Sequence, residues 1–271
     1  MPFAQAGEVR LHYEERGRGP NLLLFVHGYT ACWRWWEVAL ERLDPARYHC
    51  YALDLRGAGD SDKPPSGYTV EQYAEDVFQF CRALRLRKLV LVGHSMGGLI
   101  SMQIALSHPE LLRGLVLVDP APADPMELSP EQQQAVETVT TQLTTNRDVA
   151  LAWYQLVFHR PLAQHHFETL LEAGMSVSAA HARDSMQSIL SNTVGERLGG
   201  IKTPALLIGG DKDAIVPLET MLATQRRIPG CGLHVFHRVG HSPQLEVPER
   251  FTGVLTDFVE ETLAKGGLSA C

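Results

Sequence analysis

Short apolar runs recur along the chain, and most do not alternate with polar residues. "NLLLFVHG" (21–28), "HCYALDLRG" (49–57), "KLVLVGHS" (88–95), "GLVLVDPAP" (114–122) and "PALLIGGDKD" (204–213) share one form, a compact apolar stretch stopped by glycine or a charge. Unbroken runs suit strands buried on both faces, as in a parallel sheet held between helical layers. "LHVFHRVGH" (233–241) is a weaker copy. "EVRLHYEE" (8–15) does alternate, with Val9, Leu11 and Tyr13 on one face, and predicts an edge strand.

Helical periodicity fills the gaps. Val70, Tyr73, Ala74, Val77, Cys81 and Leu84 form one stripe, and Thr69 with Gln72 has capping-box spacing at its start. The last helix opens at Pro248, a favoured first position, with a stripe of Phe251, Val254, Leu255, Phe258, Val259 and Leu263. Repeated strand–helix units predict an α/β fold, a mostly parallel central sheet with helices on both faces. Between residues 121 and 198 the strand rhythm stops. "SPEQQQAVETVTTQL" and "RDVALAWYQLVF" read as helices there, punctuated by Pro120, Pro122, Pro125 and Pro161. A structureless excursion of that length is rare in a compact domain. The expectation is a helical cap (121–198) inserted into a core made of residues 1–120 and 199–271.

Bulk properties narrow the function. The chain has 271 residues, 45% hydrophobic and 20% charged, which is ordinary for a globular protein. A net charge of -7 argues against a nucleic-acid partner, which wants a basic face. No apolar run approaches the roughly 20 residues that span a bilayer. The first residues lack the apolar stretch of a secretory signal. Cys32, Cys50, Cys81, Cys231 and Cys271 are scattered, odd in number and without a C-x-x-C pair. They are read as reduced thiols of a cytoplasmic protein, with a disulfide at Cys271 the lesser alternative.

The chemistry concentrates in "LVGHSMGGL" (91–99). A serine hydroxyl is a weak nucleophile that needs a base and exposure to substrate. A tight strand-to-helix turn gives exposure, provided the residues two before and two after are small. Gly93 and Gly97 occupy those places around Ser95, which is the G-x-S-x-G elbow. The elbow demands a later acid and a still later histidine. Asp211 and Asp213 follow one strand end, Asp119 ends another, and His241 sits in a loop before the final helix.

Five stretches together resemble the α/β-hydrolase superfamily, across nearly the whole chain: "HGYT" (27–30), "DLRGAGDSDKP" (54–64), "GHSMGG" (93–98), "GGDKDAIVP" (209–217) and "GHSPQLEVPERF" (240–251). Within it the chain is similar to the capped esterase, haloperoxidase and ring-cleavage C–C hydrolase group. The resemblance implies Ser95 as nucleophile, His241 as general base, and Asp213 as the acid, with Asp211 and Asp119 as alternatives. It implies an oxyanion hole from the backbone N–H groups of Tyr29 and Met96.

Other residues carry weaker expectations. His27, Asp54 and Arg56 are expected to brace loops. Trp33, His94, Trp153, Tyr154 and Phe158 are candidate pocket residues, although core packing is the default for the tryptophans. Trp35 and Trp36 are expected in packing. His159, His165 and His166 lack a suitably spaced partner for a metal and are expected on a solvated cap surface. No metal or organic cofactor is implied. The expected substrate is a small to medium, mostly apolar carboxylic ester. Lactone, C–C bond and perhydrolysis chemistry share the machinery, and a ligand receptor on the same fold is the reading from a different class. An Asp-nucleophile reaction, as in epoxide hydrolases, is disfavoured by Ser95.

Overall fold

The structure, a computed structural model, describes residues 2–267. Cys271 lies outside them; Cys32, Cys50, Cys81 and Cys231 are buried free thiols. Eight strands form one sheet: β1 (Phe3–Ala6), β2 (Val9–Arg16), β3 (Asn21–Val26), β4 (Tyr48–Leu53), β5 (Leu89–His94), β6 (Leu112–Val118), β7 (Ala205–Gly210) and β8 (Gly232–Phe236). Their order is β1-β2-β4-β3-β5-β6-β7-β8. β1 and β2, and β2 and β4, pair antiparallel; every later pairing is parallel. The outermost strand is β1, so β2 is not the edge its alternation suggested. β1 is only four residues long, two of them alanines, too short to announce itself.

The two-residue period divides the sheet's side chains between two layers. Leu24, Leu91, Leu115 and Leu117 face one core; Leu23, Phe25, Val90, Val92, Val116 and Val118 face the other. Each such side chain, fully buried, contributes about 1.5–3 kcal/mol. The first face is covered by α2 (Val70–Ala83) and α3 (Met96–Ser107), the second by α1 (Glu37–Leu40) and α10 (Pro248–Gly267). The Thr69 hydroxyl accepts from Gln72 N–H at 3.2 Å and caps α2. Phe251, Leu255 and Val259 are completely buried along α10.

Between β6 and β7 run α4 (Pro130–Gln142), α5 (Arg147–Val157), α6 (Gln164–Met175) and α7 (Ala179–Ser191), with no strand among them. α8 (Leu218–Arg227) and α9 (Pro243–Glu246) complete the chain. Ala150, Tyr154 and Val157 of α5 and Leu170 and Leu171 of α6 pack against Ala31, Trp35 and Leu245, which lie on connections beyond the strand ends, while Met186 and Ile189 of α7 join the main core. Strand order reverses at β3 and β5. In open parallel sheets the crevice beyond the strands' carboxyl ends at such a point is where ligands bind.

Candidate active site

Those carboxyl ends carry the sequence's candidates side by side. Ser95 follows β5 at φ 52°, ψ -117°, a conformation that strains any residue bearing a Cβ. The turn tolerates this because its flanks are bare. A Cβ on Gly93 would stand 2.2 Å from Gly97 O, and one on Gly97 would stand 2.3 Å from Val26 O. The backbone pins the apex: Ser95 N–H donates to Val118 O at 3.0 Å, and Ser95 O accepts from Ala121 N–H at 3.0 Å. Met96 opens α3, so its N–H lies in the first turn, where intrahelical partners are lacking.

His241 and Asp213 meet through Nδ1 and Oδ2 at 2.6 Å. The other Asp213 oxygen accepts from Ile215 N–H at 2.7 Å and Val216 N–H at 2.9 Å. Burial alone would raise the Asp213 carboxyl. The charge and hydrogen bond of His241, with the two N–H groups, outweigh it and hold the carboxyl below its ordinary value. Asp211 is elsewhere: it pairs with His237 Nδ1 at 2.7 Å and accepts from Arg238 N–H, on a surface turn. Asp119 is completely buried and accepts from Gly210 N–H at 3.0 Å. His241, Asp213 and Asp119 offer ligand atoms within 4.8 Å of one another, as do His12, Asp54 and Asp60. In each group a histidine Nδ1 already engages a carboxylate, at 2.6 Å in the first and 2.7 Å in the second, which uses the atoms a cation would need.

Ser95 and His241 line one small cavity of about 30 Å3, with Tyr29, Ala31, Trp35, His94, Trp153, Tyr154, Val157 and Ile215. That is room for about one or two waters. His94 is completely enclosed, with Nε2 2.7 Å from His241 O, so it steadies the histidine loop; burial pushes its pKa down to about 3. His241 N–H donates to Val157 O at 2.9 Å, joining that loop to the end of α5. Glu246 reinforces the join by accepting from Gly240 N–H at 3.0 Å and Arg160 N–H at 2.8 Å. Above Ser95, Tyr154 hydroxyl donates to Thr30 O at 2.5 Å and Tyr29 hydroxyl to Ala182 O at 2.8 Å.

The aromatic expectations divide. Trp153 and Tyr154 line the cavity. Phe158 does not; it stacks on Trp35, centroids 5.7 Å apart, and holds the wall from behind. Trp33 also stays out of the lining: it is buried in the core layer of α1 and α10, and its N–H donates to Asp54 Oδ1 at 2.7 Å. Trp35 takes the place expected of Trp33. The 3-10 turn over Trp33–Trp36 sets which indole points inward, and three tryptophans in four residues carry no signal of that choice. Val157, the last residue of α5, and Ile215, in the connection from β7 to α8, are equally unmarked in the sequence. His165 is exposed as expected, whereas His166 is half-buried and burial lowers its pKa. His27 and Asp54 brace loops: Leu55 N–H donates to His27 Nε2 at 3.0 Å. Arg56 is buried against Asp76, 2.5 Å and 2.7 Å.

Known proteins resemble this chain in sequence and fold. The profile of the alpha/beta hydrolase fold matches residues 21–153. A 2-hydroxy-6-oxononadienedioate/2-hydroxy-6-oxononatrienedioate hydrolase from Paraburkholderia phymatum is 29% identical over 267 residues, covering 93% of this chain and 91% of the relative. A putative aryl esterase from Burkholderia cenocepacia superposes with a TM-score of 0.86 at 27% identity, over 97% of this chain and 99% of its own. An esterase from Exiguobacterium antarcticum, at 24% identity, shares the fold with a TM-score of 0.88 over 95% of this chain and 98% of its own.

Proposed function

Because this chain belongs to the α/β-hydrolase superfamily, we propose that it is a serine hydrolase of small, mostly apolar carboxylic esters, acting through Ser95, His241 and Asp213 beneath a helical cap of residues 121–198. His241 takes the Ser95 proton as the hydroxyl attacks the ester carbonyl. The oxyanion rests on the N–H groups of Met96 and Tyr29, a stabilisation of about 3–4 kcal/mol per donor that arises only in the transition state. Protonated His241 then gives that proton to the departing alcohol, leaving an acyl-enzyme, and the imidazole, neutral again, takes a proton from the water that frees the acid. Asp213 orients the imidazole and stabilises its charged form without taking the proton.

The observation that carries the ester reading is the cavity lining. Around Ser95 it offers aromatic and aliphatic side chains and no lysine or arginine. A neutral ester suits that wall, while a dianion would sit unpaired in it. The dioate hydrolase relative favours a second reading, C–C bond hydrolysis of a dienoate by the same three side chains. The test is a panel of p-nitrophenyl esters, lactones and dienoates assayed with wild type and Ser95→Ala. Multiple turnover of short neutral esters, abolished by Ser95→Ala with melting unchanged, supports the proposal. Faster dienoate cleavage would install the second reading. A single turnover followed by a ligand-stabilised state would indicate a receptor.

A further inference from the structure

Asp119 is not needed by the mechanism above, yet it sits against it. It ends β6 with φ 38°, a strained backbone for an aspartate, and its N–H donates to Ile208 O at 2.8 Å, tying the crests of β6 and β7 together. Its side chain has no exposure. One oxygen accepts from Gly210 N–H at 3.0 Å; the other, Oδ2, accepts no hydrogen bond from a donor among the described residues. A carboxyl oxygen of Asp119, one of Asp213 and a ring nitrogen of His241 all lie within 4.8 Å of one another. Two adjacent buried carboxyls do not both stay ionised, because each removes the solvent the other's charge requires. Three donors already serve Asp213: His241 and the N–H groups of Ile215 and Val216. One serves Asp119. The shared proton therefore belongs on Asp119.

We propose that Asp119 is a positioning residue, a neutral carboxylic acid whose Oδ2–H donates to the Asp213 carboxylate and fixes that carboxylate behind His241. The proposal rests on the reading of Asp213 and His241 as acid and base. Burial, followed by the negative charge of Asp213, raises the Asp119 carboxyl well above its ordinary value, in the same direction as the donor count. The acid does two things. It stops the Asp213 carboxylate rotating out of line with the imidazole. It also draws off part of the carboxylate's charge, which moderates how strongly Asp213 stabilises protonated His241. The other titratable groups packed around this row are His94 from β5, kept neutral by burial, Glu246 from α9 and His27 after β3. They are unchanged in the variants below.

Two variants separate donor from charge. Asp119→Asn keeps an N–H donor towards Asp213, and Asp119→Ala removes it. With Asn, the pH profile of kcat/KM should keep its acidic limb. With Ala, Asp213 regains full charge, the imidazolium is held more tightly, and the acidic limb moves to higher pH by up to about one unit, with kcat/KM about 10-fold lower. An ionised Asp119 makes the opposite prediction: both variants remove a negative charge, and both move the acidic limb to lower pH. That result, or no shift with either, overturns the proposal. A readout independent of catalysis is infrared difference spectroscopy near neutral pH, wild type minus Asp119→Asn. It should show the carbonyl stretch of one protonated carboxylic acid in the wild type. Absence of that band overturns the proposal even where Asp119→Ala does not fold. Its presence in a protein that turns over no ester leaves Asp119 neutral and the functional reading at fault.

Discussion

Helices α3 and α4 are nearly equal in length and opposite in setting. Along α3 nine residues, from Met96 to Ala105, are buried, and the helix is packed between the sheet and its neighbours. Along α4 none is buried. The first has Ser95, the proposed nucleophile, at its N-terminus. The second belongs to the inserted segment and is held by its own caps: the Ser129 hydroxyl accepts from Gln132 N–H at 3.3 Å, and Gln132 returns the bond to Ser129 N–H at 2.8 Å. The difference separates two tasks. The crest of the sheet must hold several side chains in fixed relation, so it stands on elements with no freedom to shift. The proposed cover lies over a cavity of about 30 Å3 and is anchored unevenly: α5 and α6 pack in a cluster of their own around Trp35, α7 reaches the main core through Met186 and Ile189, and α4 buries nothing fully.

Ile100→Ala in α3 tests the rigid side hardest. Ile100 has no exposed surface, and its loss leaves a cavity that a packed layer cannot close. Chemical denaturation should show a loss of about 2–5 kcal/mol. A loss below about 1 kcal/mol would mean that α3 is no more constrained than α4.

Acid should act on both regions. His94 beside Ser95 and His181 in α7 are each held near pKa 3 by burial, against an ordinary 6.5. Above pH 6.5 both are neutral folded or unfolded, and this contribution to stability is complete. As pH falls from 6.5 towards 3 the unfolded chain binds protons that the native one refuses. Stability then drops by about 1.4 kcal/mol per pH unit for each histidine. His181→Gln should halve the slope of urea-unfolding free energy attributable to this pair between pH 4 and 6. An unchanged slope would show that His181 is already solvated through a loose cap.

Tyr154→Phe probes the seam itself. It removes the bond to Thr30 O and leaves that buried carbonyl without it, at about 1–2 kcal/mol by thermal unfolding. With the cap loosened and the crest intact, KM should change more than kcat. Gln134→Ala lies at the far end of the scale. Gln134 is exposed on α4, and both stability and activity should stay within about 0.5 kcal/mol of wild type. A larger loss would place α4 among the structural supports.

The same contrast explains what the sequence reveals. Strands buried on both faces show themselves as unbroken apolar runs, and the elbow shows itself because Gly93 and Gly97 have backbone oxygens where a Cβ would go. His241 is legible as the histidine in the loop just before the final helix, and Asp213 by its place three residues after Gly210. The cap is legible only as missing strands. Its helices bury few residues, so their periodicity is faint, and the side chains it sends to the cavity are ordinary: Trp153, Tyr154 and Val157. Long-range contact decides those. Trp35 rather than Trp33 faces Ser95 because of how a short 3-10 turn meets β3 and α5, and no local pattern encodes that. Asp119 reads from the sequence as a rival acid, and becomes a partner of Asp213 only when β6 and β7 lie side by side.

The most direct test of the central claim is covalent labelling with a fluorophosphonate, followed by intact-mass and peptide analysis. Wild type should take one adduct, on Ser95, and His241→Ala should slow the labelling at least about 1,000-fold while keeping its melting temperature. An adduct on another residue, or labelling of Ser95 at an undiminished rate without His241, would contradict the account.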